Sequence, residues 1–389
     1  MNRLWSGGRL ALLLFVLALT VAGCVPSGAA TDTGWTTLTI AGTELYAVRS
    51  TGEAVALNLQ GDGALIWRYP LETAATGPGC GIMQKSTTGG EASLALGAVF
   101  SPPAVSDGLV LFGSSEEKLI ALDAESGKPA WSYPVDSAVI GGVAVAEGIA
   151  YFGTVSGQVY AVDLEAQKPA WETTYTTGDR VWSTPLVDGS RLYVASMDHR
   201  IHALDRSSGE SLWSADLGGA IQGDIALYHG VLYAGGVDRR LYAIEAESGR
   251  VLWKTDRLDS WIWGAPLQTG DMVCFATLDG KVHGHSVESG KPVWAPVTLQ
   301  GGISAGPARV GDSAVVGTDE GMVYLIDLEA GSAEVLYGSL PEQQRGGYLS
   351  TITVHDDIVY LGSSYGFVVA LDPAARAPEA WVYPSPEAE

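Results

Sequence analysis

Histidine and cysteine are the side chains that most often bind transition metals, and this chain has few of either. It contains 6 histidines and 3 cysteines in 389 residues. His283 and His285 stand two positions apart, so in a strand they would share one face. Neither has a third ligand at a zinc-like spacing, and no Cys-x-x-Cys pair occurs. We therefore expect no metal site and interpret both histidines as packing residues.

Cys24 follows a segment that is typical of an export signal. Arg3 and Arg9 precede an apolar run over residues 10–22, which is shorter than the ~20 residues needed to span a bilayer. Val-Ala-Gly-Cys at residues 21–24 resembles the lipobox of bacterial lipoproteins, in which the cysteine carries a diacylglycerol. The resemblance implies a signal peptide over 1–23, lipidation of Cys24, a flexible tether over 24–34 and an extracytoplasmic, membrane-anchored protein. The alternative is an ordinary cleaved signal with an incidental cysteine.

Charge and composition exclude one class of partner and favour one class of fold. Basic residues number 22 and acidic residues 44, so the net charge is −22, or −24 without Arg3 and Arg9. This charge opposes binding to nucleic-acid phosphates. The 50 glycines, and 12 Trp and 16 Tyr against 6 Phe, indicate short aromatic-bearing strands joined by tight turns.

One repeat accounts for most of the chain. A strand-like run that ends in an acidic or polar residue recurs every 40 to 45 residues, after a first gap of 65. The residues that end these runs are Asn58, Asp123, Asp163, Asp205, Glu245, Ser286, Asp327 and Asp372. A bulky residue follows each of them after eight or nine further positions, namely Trp67, Trp131, Trp171, Trp213, Trp253, Trp294, Leu336 and Trp381.

The repeat predicts an all-β, eight-bladed β-propeller of four-stranded antiparallel blades over residues 35–384, with a tail over 385–389. Asp-Gly and Ser-Gly pairs mark the hairpin turns. We expect the acidic residue to accept backbone N–H bonds in the turn that follows it, and the tryptophan to pack between adjacent blades. An insertion at about 71–98 follows the first blade, and we expect a monomer.

The fourth repeat carries a family resemblance. It reads Leu-Tyr-Val-Ala-Ser at 192–196, Ile-His-Ala-Leu-Asp at 201–205, Ser-Gly at 208–209 and Trp213. This pattern resembles the tryptophan-docking repeat of the pyrroloquinoline-quinone (PQQ, quinoprotein-like) propellers. With the lipobox and eight blades, the chain is similar to lipoprotein B of the bacterial outer-membrane β-barrel assembly machinery. That resemblance implies a non-catalytic scaffold that binds an envelope protein, the barrel-insertion protein.

Two other functions remain open at this point. An extracytoplasmic sensor or a cell-wall-binding propeller would use the same scaffold. A PQQ-dependent dehydrogenase would need, by resemblance to the catalytic members, a Glu, Asn and Asp set for its metal, and many carry adjacent cysteines. The chain has only two asparagines, Asn2 and Asn58, and no adjacent cysteines. We therefore expect neither a cofactor nor an enzymatic activity.

Partner-binding residues are sought where the repeat varies. In a propeller, the connections between blades share one face with the turns that join second to third strands, and variable loops on a fixed scaffold often carry recognition. The candidates on this face are of the types that dominate interfaces, namely Arg180, Trp182, Trp261, Trp263, Arg345 and Tyr348.

Four of these candidates have a structural alternative, whereas Trp261 falls outside the packing positions of the repeat. Trp182 and Trp263 could instead line the central channel, while Arg180 and Arg345 could pair with Asp179 or Glu342. The insertion at 71–98 is the next candidate. Cys274 takes a position that most repeats give to tyrosine, which predicts a buried thiol, and its pairing with Cys80 stays open.

Overall fold

The computed structural model describes residues 36–60, 62–70, 96–338, 347–348, 350 and 352–384. All of them fall within one compact unit, Asp32–Glu389. The described residues form eight antiparallel sheets and no helix, so the predicted eight-bladed propeller is confirmed. In this part of the chain there is accordingly no helix that could cross a membrane.

The first four blades follow one another along the chain. The first comprises β1 (Thr37–Ala41), β2 (Glu44–Val48), β3 (Ala54–Asn58) and β4 (Ala64–Tyr69). The second comprises β5 (Ala104–Ser106), β6 (Leu109–Ser114), β7 (Lys118–Asp123) and β8 (Pro129–Pro134). The third comprises β9 (Ala144–Ala146), β10 (Ile149–Gly153), β11 (Gln158–Asp163) and an interrupted outer strand, β12 (Lys168–Pro169) and β13 (Tyr175–Thr176). The fourth comprises β14 (Leu186–Asp188), β15 (Arg191–Ala195), β16 (Arg200–Asp205) and β17 (Ser211–Asp216).

The last four blades repeat the same order. The fifth comprises β18 (Ala226–Tyr228), β19 (Val231–Gly235), β20 (Leu241–Glu245) and β21 (Val251–Lys254). The sixth comprises β22 (Leu267–Thr269), β23 (Met272–Thr277), β24 (Lys281–Ser286) and β25 (Val297–Thr298). The seventh comprises β26 (Ala308–Val310), β27 (Ser313–Gly317), β28 (Val323–Asp327) and β29 (Ser332–Tyr337). The eighth comprises β30 (Thr353–His355), β31 (Ile358–Gly362), β32 (Val368–Leu371) and β33 (Glu379–Tyr383).

The core lies between neighbouring blades. The second and third strands of each blade are almost entirely buried, whereas the first and fourth are only partly covered. Successive side chains of a strand point to opposite faces of its sheet, so each middle strand supplies apolar residues to both neighbouring blades. Between the fourth and fifth blades, for example, Tyr193 and Ile201 share a cluster with Tyr242 and Ile244.

The acidic residue of the repeat stabilises the turn that follows the third strand. Asp205 Oδ1 accepts the backbone N–H groups of Ser207 and Ser208, each at 3.0 Å. These bonds and those from the serine hydroxyls favour the carboxylate, so the pKa of Asp205 is lowered. The predicted role of this residue is confirmed.

The tryptophan of the repeat connects each blade to the next. Trp171 Nε1 donates to the carbonyl of Arg206 at 2.9 Å, and its ring lies against Gly209 in the following blade. Gly209 has φ +76°, and a Cβ built there would be 2.6 Å from the indole, so this position requires glycine. The same contact joins Trp67 to Gly127, Trp213 to Gly249, Trp253 to Gly290, Trp294 to Gly331 and Trp381 to Gly63. The predicted packing between blades is confirmed, although Trp213 is only partly buried.

The junction between the seventh and eighth blades departs from this pattern. In the fourth blade Trp213 pairs with Ala203, whereas in the seventh Glu334 takes the corresponding place opposite Leu325. The hydroxyl of Tyr337 donates instead to the Glu379 carboxylate of the eighth blade. A tyrosine–carboxylate bond therefore joins these two blades where the others use tryptophan.

Side chains alone close the ring. The described strands of the first and eighth blades each come from one contiguous segment, and none of these strands is exchanged between the two blades. Leu38 and Leu57 of the first blade pack with Tyr360 and Val368 of the eighth. Arg49 Nε also donates to the carbonyl of Gly366 at 2.6 Å.

Candidate docking face and axial channel

The connections between blades and the turns joining second to third strands lie together, and we call this side the connection face. The backbone N–H of Gly178, in the connection before the fourth blade, donates to Asp198 Oδ2 at 2.8 Å, and Asp198 lies in that blade's second turn. The connection before the sixth blade is attached similarly, because Leu278 N–H donates to the carbonyl of Trp261 at 3.0 Å. The loops of this face are thus held on the rigid strands.

Arg180 has an exposed side chain on an ordered backbone. Its N–H donates to Asp179 Oδ1 at 2.8 Å, and its carbonyl accepts the N–H of Met197 at 2.9 Å. The expected alternative, an ion pair with Asp179, is not formed, and no described carboxylate lies within 4.0 Å of the guanidinium. Arg180 is therefore available to a partner.

Trp261 belongs to none of the described hydrophobic core clusters. Its side chain is 46% exposed. The loop around it is held by the ion pair between Asp259 and Lys281, at 2.5 Å, and by Arg239, whose guanidinium donates to the carbonyl of Asp259 at 3.3 Å. An exposed aromatic side chain on a loop that is held in place is typical of an interface anchor.

Tyr365 is a residue of the connection face that the sequence reasoning missed. It lies in the second turn of the eighth blade and is 56% exposed. The turn is fixed by bonds from Ser364 N–H to the carbonyl of Gly347, at 2.8 Å, and from Gly366 N–H to that of Ser363, at 3.0 Å. Other blades place a hydroxyl or an acidic residue at the corresponding position, such as Ser156 and Asp198, and this contrast could have singled Tyr365 out.

Tyr348, by contrast, is 1% exposed and belongs to the core between the seventh and eighth blades. Its Cβ lies 2.8 Å from where a Cβ on Gly317 would be, and its backbone pairs with Ser363. A fully buried ring cannot contact a partner, so Tyr348 leaves the set of candidates. Arg345, Cys24, Cys80 and residues 71–95 of the insertion lie outside the described residues.

Trp182 and Trp263 line the axial channel rather than the outer surface. With Phe100 they belong to the wall of a cavity of about 510 Å³ that runs along the first strands. The buried Nε1 of Trp182 has no hydrogen-bond acceptor among the described residues, and the same holds for the Oγ of Ser350, another wall residue. The geometry therefore favours the alternative interpretation, in which Trp182 and Trp263 line the channel.

Small residues follow the aromatic positions where the blades converge. A Cβ built on Gly223 would be 1.4 Å from the carbonyl oxygen of Trp263, and one on Gly264 would be 2.0 Å from the backbone nitrogen of Gly306. Neighbouring backbones therefore touch at this level, which fixes the width of the channel.

Asp224 is the only acidic or basic side chain among the described residues that line this cavity. Its Oδ1 accepts the backbone N–H of Thr184, in the neighbouring blade, at 2.6 Å. Burial raises the pKa of Asp224, although the bonds from Thr184 oppose this effect. An ionised carboxylate that is buried without a nearby cation raises the free energy of the folded state.

The other titratable groups pack within the blades. His283 and His285 are 5% and 4% exposed, and His283 stacks on Phe275 with ring centroids 5.0 Å apart. His202 contacts Asp198 Oδ2 and the hydroxyl of Tyr175, each at 3.0 Å. No group of three potential ligands for a metal occurs within the described ranges. Cys274 is a fully buried free thiol, as predicted, and burial raises its pKa to about 12.

Comparison with known proteins gives one family. The family described as outer membrane protein assembly factor BamB matches residues 50–172, 139–216 and 197–386. A crystal structure of BamB from Moraxella catarrhalis is 20% identical, with a TM-score of 0.67 over 86% of this chain and 92% of that one. The computationally designed Ika8 protein is 16% identical, with a TM-score of 0.70 over 87% of this chain and 96% of that one. At these identities the two structures show the fold alone. Among curated proteins, none matches the sequence.

Proposed function

Because the chain belongs to the family of the outer membrane protein assembly factor BamB, we propose that it is a non-catalytic scaffold that binds a β-barrel insertion protein at the cell envelope. The propeller provides a rigid platform, and the connection face provides the binding surface. The observation that carries the proposal is the pair of exposed side chains, Arg180 and Trp261, on loops that the strands hold in place. Trp and Arg are enriched among the residues that contribute most to binding.

The channel supports a non-catalytic role. A PQQ cofactor carries three carboxylates, and the described wall offers no lysine or arginine to meet them but does offer Asp224, which would repel them. Asn58, the one asparagine within the described residues, ends β3 and does not line the wall. The residues present therefore do not fit the quinone and its metal.

A Gly-x-Ser-x-Gly spacing at residues 302–306 does not change this conclusion. In hydrolases that motif forms a sharp turn between a strand and a helix. Here Ser304 lies in the wall of the channel, and the segment leads into β26 with no helix after it. The structural context of a nucleophile elbow is therefore missing.

The proposal includes an anchor at Cys24, which would keep the scaffold outside the cytoplasm and at the membrane. Mass spectrometry of the N-terminal peptide from the native membrane should find a diacylglycerol-modified Cys24. An unmodified peptide that begins at another residue would remove the anchor from the proposal but leave the scaffold role intact.

Site-specific photocrosslinking in the native cell tests the scaffold role. A photoreactive phenylalanine analogue replaces Arg180 or Trp261 in turn, and Leu212, which is 49% exposed on the outer strand β17, serves as the matched control. We expect positions 180 and 261, but not 212, to form an adduct that contains a β-barrel insertion protein. An adduct with a kinase or a cell-wall polymer would overturn the proposal in favour of a sensor or a cell-wall-binding propeller.

A further inference from the structure

The axial channel has a feature that a docking face does not require, namely a single carboxylate among aromatic side chains. Asp224 lies in the wall together with Phe100, Trp182, Tyr228 and Trp263. No other described residue of the wall is acidic or basic. The channel is therefore a mostly apolar cavity with one site of potential negative charge.

The fold does not need an acid at this position. The equivalent residues of the other repeats, each directly after the small residue of the ring, are Thr37, Pro102, Gly142, Thr184, Ala265, Gly306 and Thr351. None of them carries a charge, and the blades that contain the described members of this set have the same architecture. The bond from Thr184 N–H to Asp224 at 2.6 Å thus uses one carboxylate oxygen but does not explain the choice of aspartate.

Asp224 lies further along the chain than the residues that lead into the first strands from the connection face. Gln222, two residues earlier, takes the repeat position of Trp182 and Trp263, and all three precede the first strands of their blades. A lysine or arginine side chain that enters from that face would pass its apolar stem between the aromatic rings and bring its charged end towards Asp224.

The chemistry of the wall matches a cation from a polypeptide. Aromatic faces attract cations, and a partly desolvated carboxylate forms a strong charge-assisted hydrogen bond with a guanidinium or ammonium group. Burial raises the pKa of Asp224. An incoming cation would oppose this effect, because a nearby positive charge favours the ionised carboxylate.

We propose that the axial channel binds the lysine or arginine side chain of a polypeptide that approaches the connection face, with Asp224 as its counter-ion. The protein's net charge of −22 would attract such a basic segment over longer distances. This inference rests on the channel alone, so it can fail or hold independently of the identity of the scaffold's partner.

The test is a titration of the intact protein, labelled with 5-fluorotryptophan, followed by ¹⁹F NMR. The probe is acetyl-Gly-Arg-Gly-amide, and the same peptide with citrulline in place of arginine is the uncharged control. Trp182→Phe and Trp263→Phe assign the two channel resonances. We expect the arginine peptide to shift both resonances saturably, and the citrulline peptide to bind at least tenfold more weakly.

The Asp224→Asn variant should weaken the arginine peptide at least tenfold, because asparagine keeps the acceptor for Thr184 but not the charge. Asp188→Asn, at an exposed turn on the opposite face, is the matched control and should have no effect. Equal binding of the two peptides, or unchanged binding to Asp224→Asn, would overturn the proposal. If Asp224→Asn does not fold, Gln222→Lys replaces it, since an ammonium group at the mouth should abolish the shifts, and unchanged shifts would count against the site.

A further titration distinguishes binding of a polypeptide from binding of a small cation. Tetramethylammonium is titrated into the same sample. If it shifts the channel resonances through Asp224 while the arginine peptide does not, the channel takes small organic cations and the polypeptide assignment is wrong. Binding of the arginine peptide at a lower concentration than tetramethylammonium supports the assignment.

Discussion

The indole of Trp171 lies against Gly209 of the next blade, in the space that a Cβ on that glycine would occupy at 2.6 Å. Gly209→Ala should therefore destabilise the propeller by about 2 to 4 kcal/mol, from a left-handed backbone and an overpacked contact. Gly189→Ala is the matched control, since Gly189 has φ +54° but no atom within 4 Å of its Cβ position. Gly189→Ala should lower the free energy of unfolding by about 1 to 2 kcal/mol. Urea unfolding of both variants measures the difference, and equal losses would show that the contact contributes nothing.

Removal of the indole should have a larger effect. Trp171 is 5% exposed and donates to Arg206, so we expect Trp171→Ala to cost about 3 to 5 kcal/mol. Leu212→Ala, at an exposed position of β17, should change stability by less than about 0.5 kcal/mol. Thermal and urea unfolding give both values. A loss below about 1 kcal/mol for Trp171→Ala would contradict the docking role assigned to this residue.

The connection face predicts separate effects on binding and stability. Replacing Arg180, Trp261 and Tyr365 together by alanine should weaken capture of the β-barrel insertion protein about tenfold or more, because exposed aromatic and arginine side chains dominate interfaces. The melting temperature should stay within about 1 °C, since surface changes away from special features cost little. A triple alanine variant of Leu212, Val293 and Val335, exposed apolar residues elsewhere, provides the control. Undiminished capture by the first variant would place the docking surface elsewhere.

Acid should destabilise the sixth blade through His283. Burial, and secondarily the nearby His285, lower the pKa of His283 to about 4. The unfolded chain then binds a proton more readily than the folded one, so the stabilising contribution is present above about pH 6.5 and is lost towards pH 4. This contribution is on the order of 3 kcal/mol.

A tyrosine should remove that pH dependence without disturbing the packing. In the third blade Tyr160 stacks on Phe152 at an interplanar angle of 6°, much as His283 stacks on Phe275 at 7°. Unfolding curves of His283→Tyr between pH 7 and 4 should fall less steeply than those of the unaltered protein. His355→Tyr, at a more exposed position, is the control, and the same slope in both variants would refute the assignment.

Cys274 should be chemically inert in the folded protein. It is fully buried and its pKa is raised to about 12, whereas thiols react as thiolates. Iodoacetamide at pH 8 should therefore modify Cys274 at least a hundredfold more slowly in buffer than in urea, as followed by mass spectrometry of its peptide. Comparable rates would mean that the sixth blade opens readily.

The repeat made the fold predictable, because residues such as Asp205 and Trp171 recur with one period and the contact of the tryptophan with a glycine of the next blade is repeated in six of the eight blades. The sequence could not show that Glu334 replaces the tryptophan in the seventh blade, since a bulge between Val323 and Tyr324 shifts the register. Tyr348 was misjudged although the repeat holds a signal for it, because the equivalent position carries a buried apolar residue in other blades, such as Val181 and Ile262. Asp224 was missed because its charge becomes unusual only when it is compared with the corresponding residues of the other blades.

The closure of the ring by side chains has a consequence for how the chain could be rearranged. Each blade is a contiguous segment, and the described propeller begins at the inner strand β1 and ends at the outer strand β33. A linker from β33 to β1 would join the outer strand of one blade to the inner strand of the next, as the connections between the other blades do. Circular permutation at any of those connections should thus leave every sheet intact, and the present ends mark one of eight equivalent points at which such a ring can be cut.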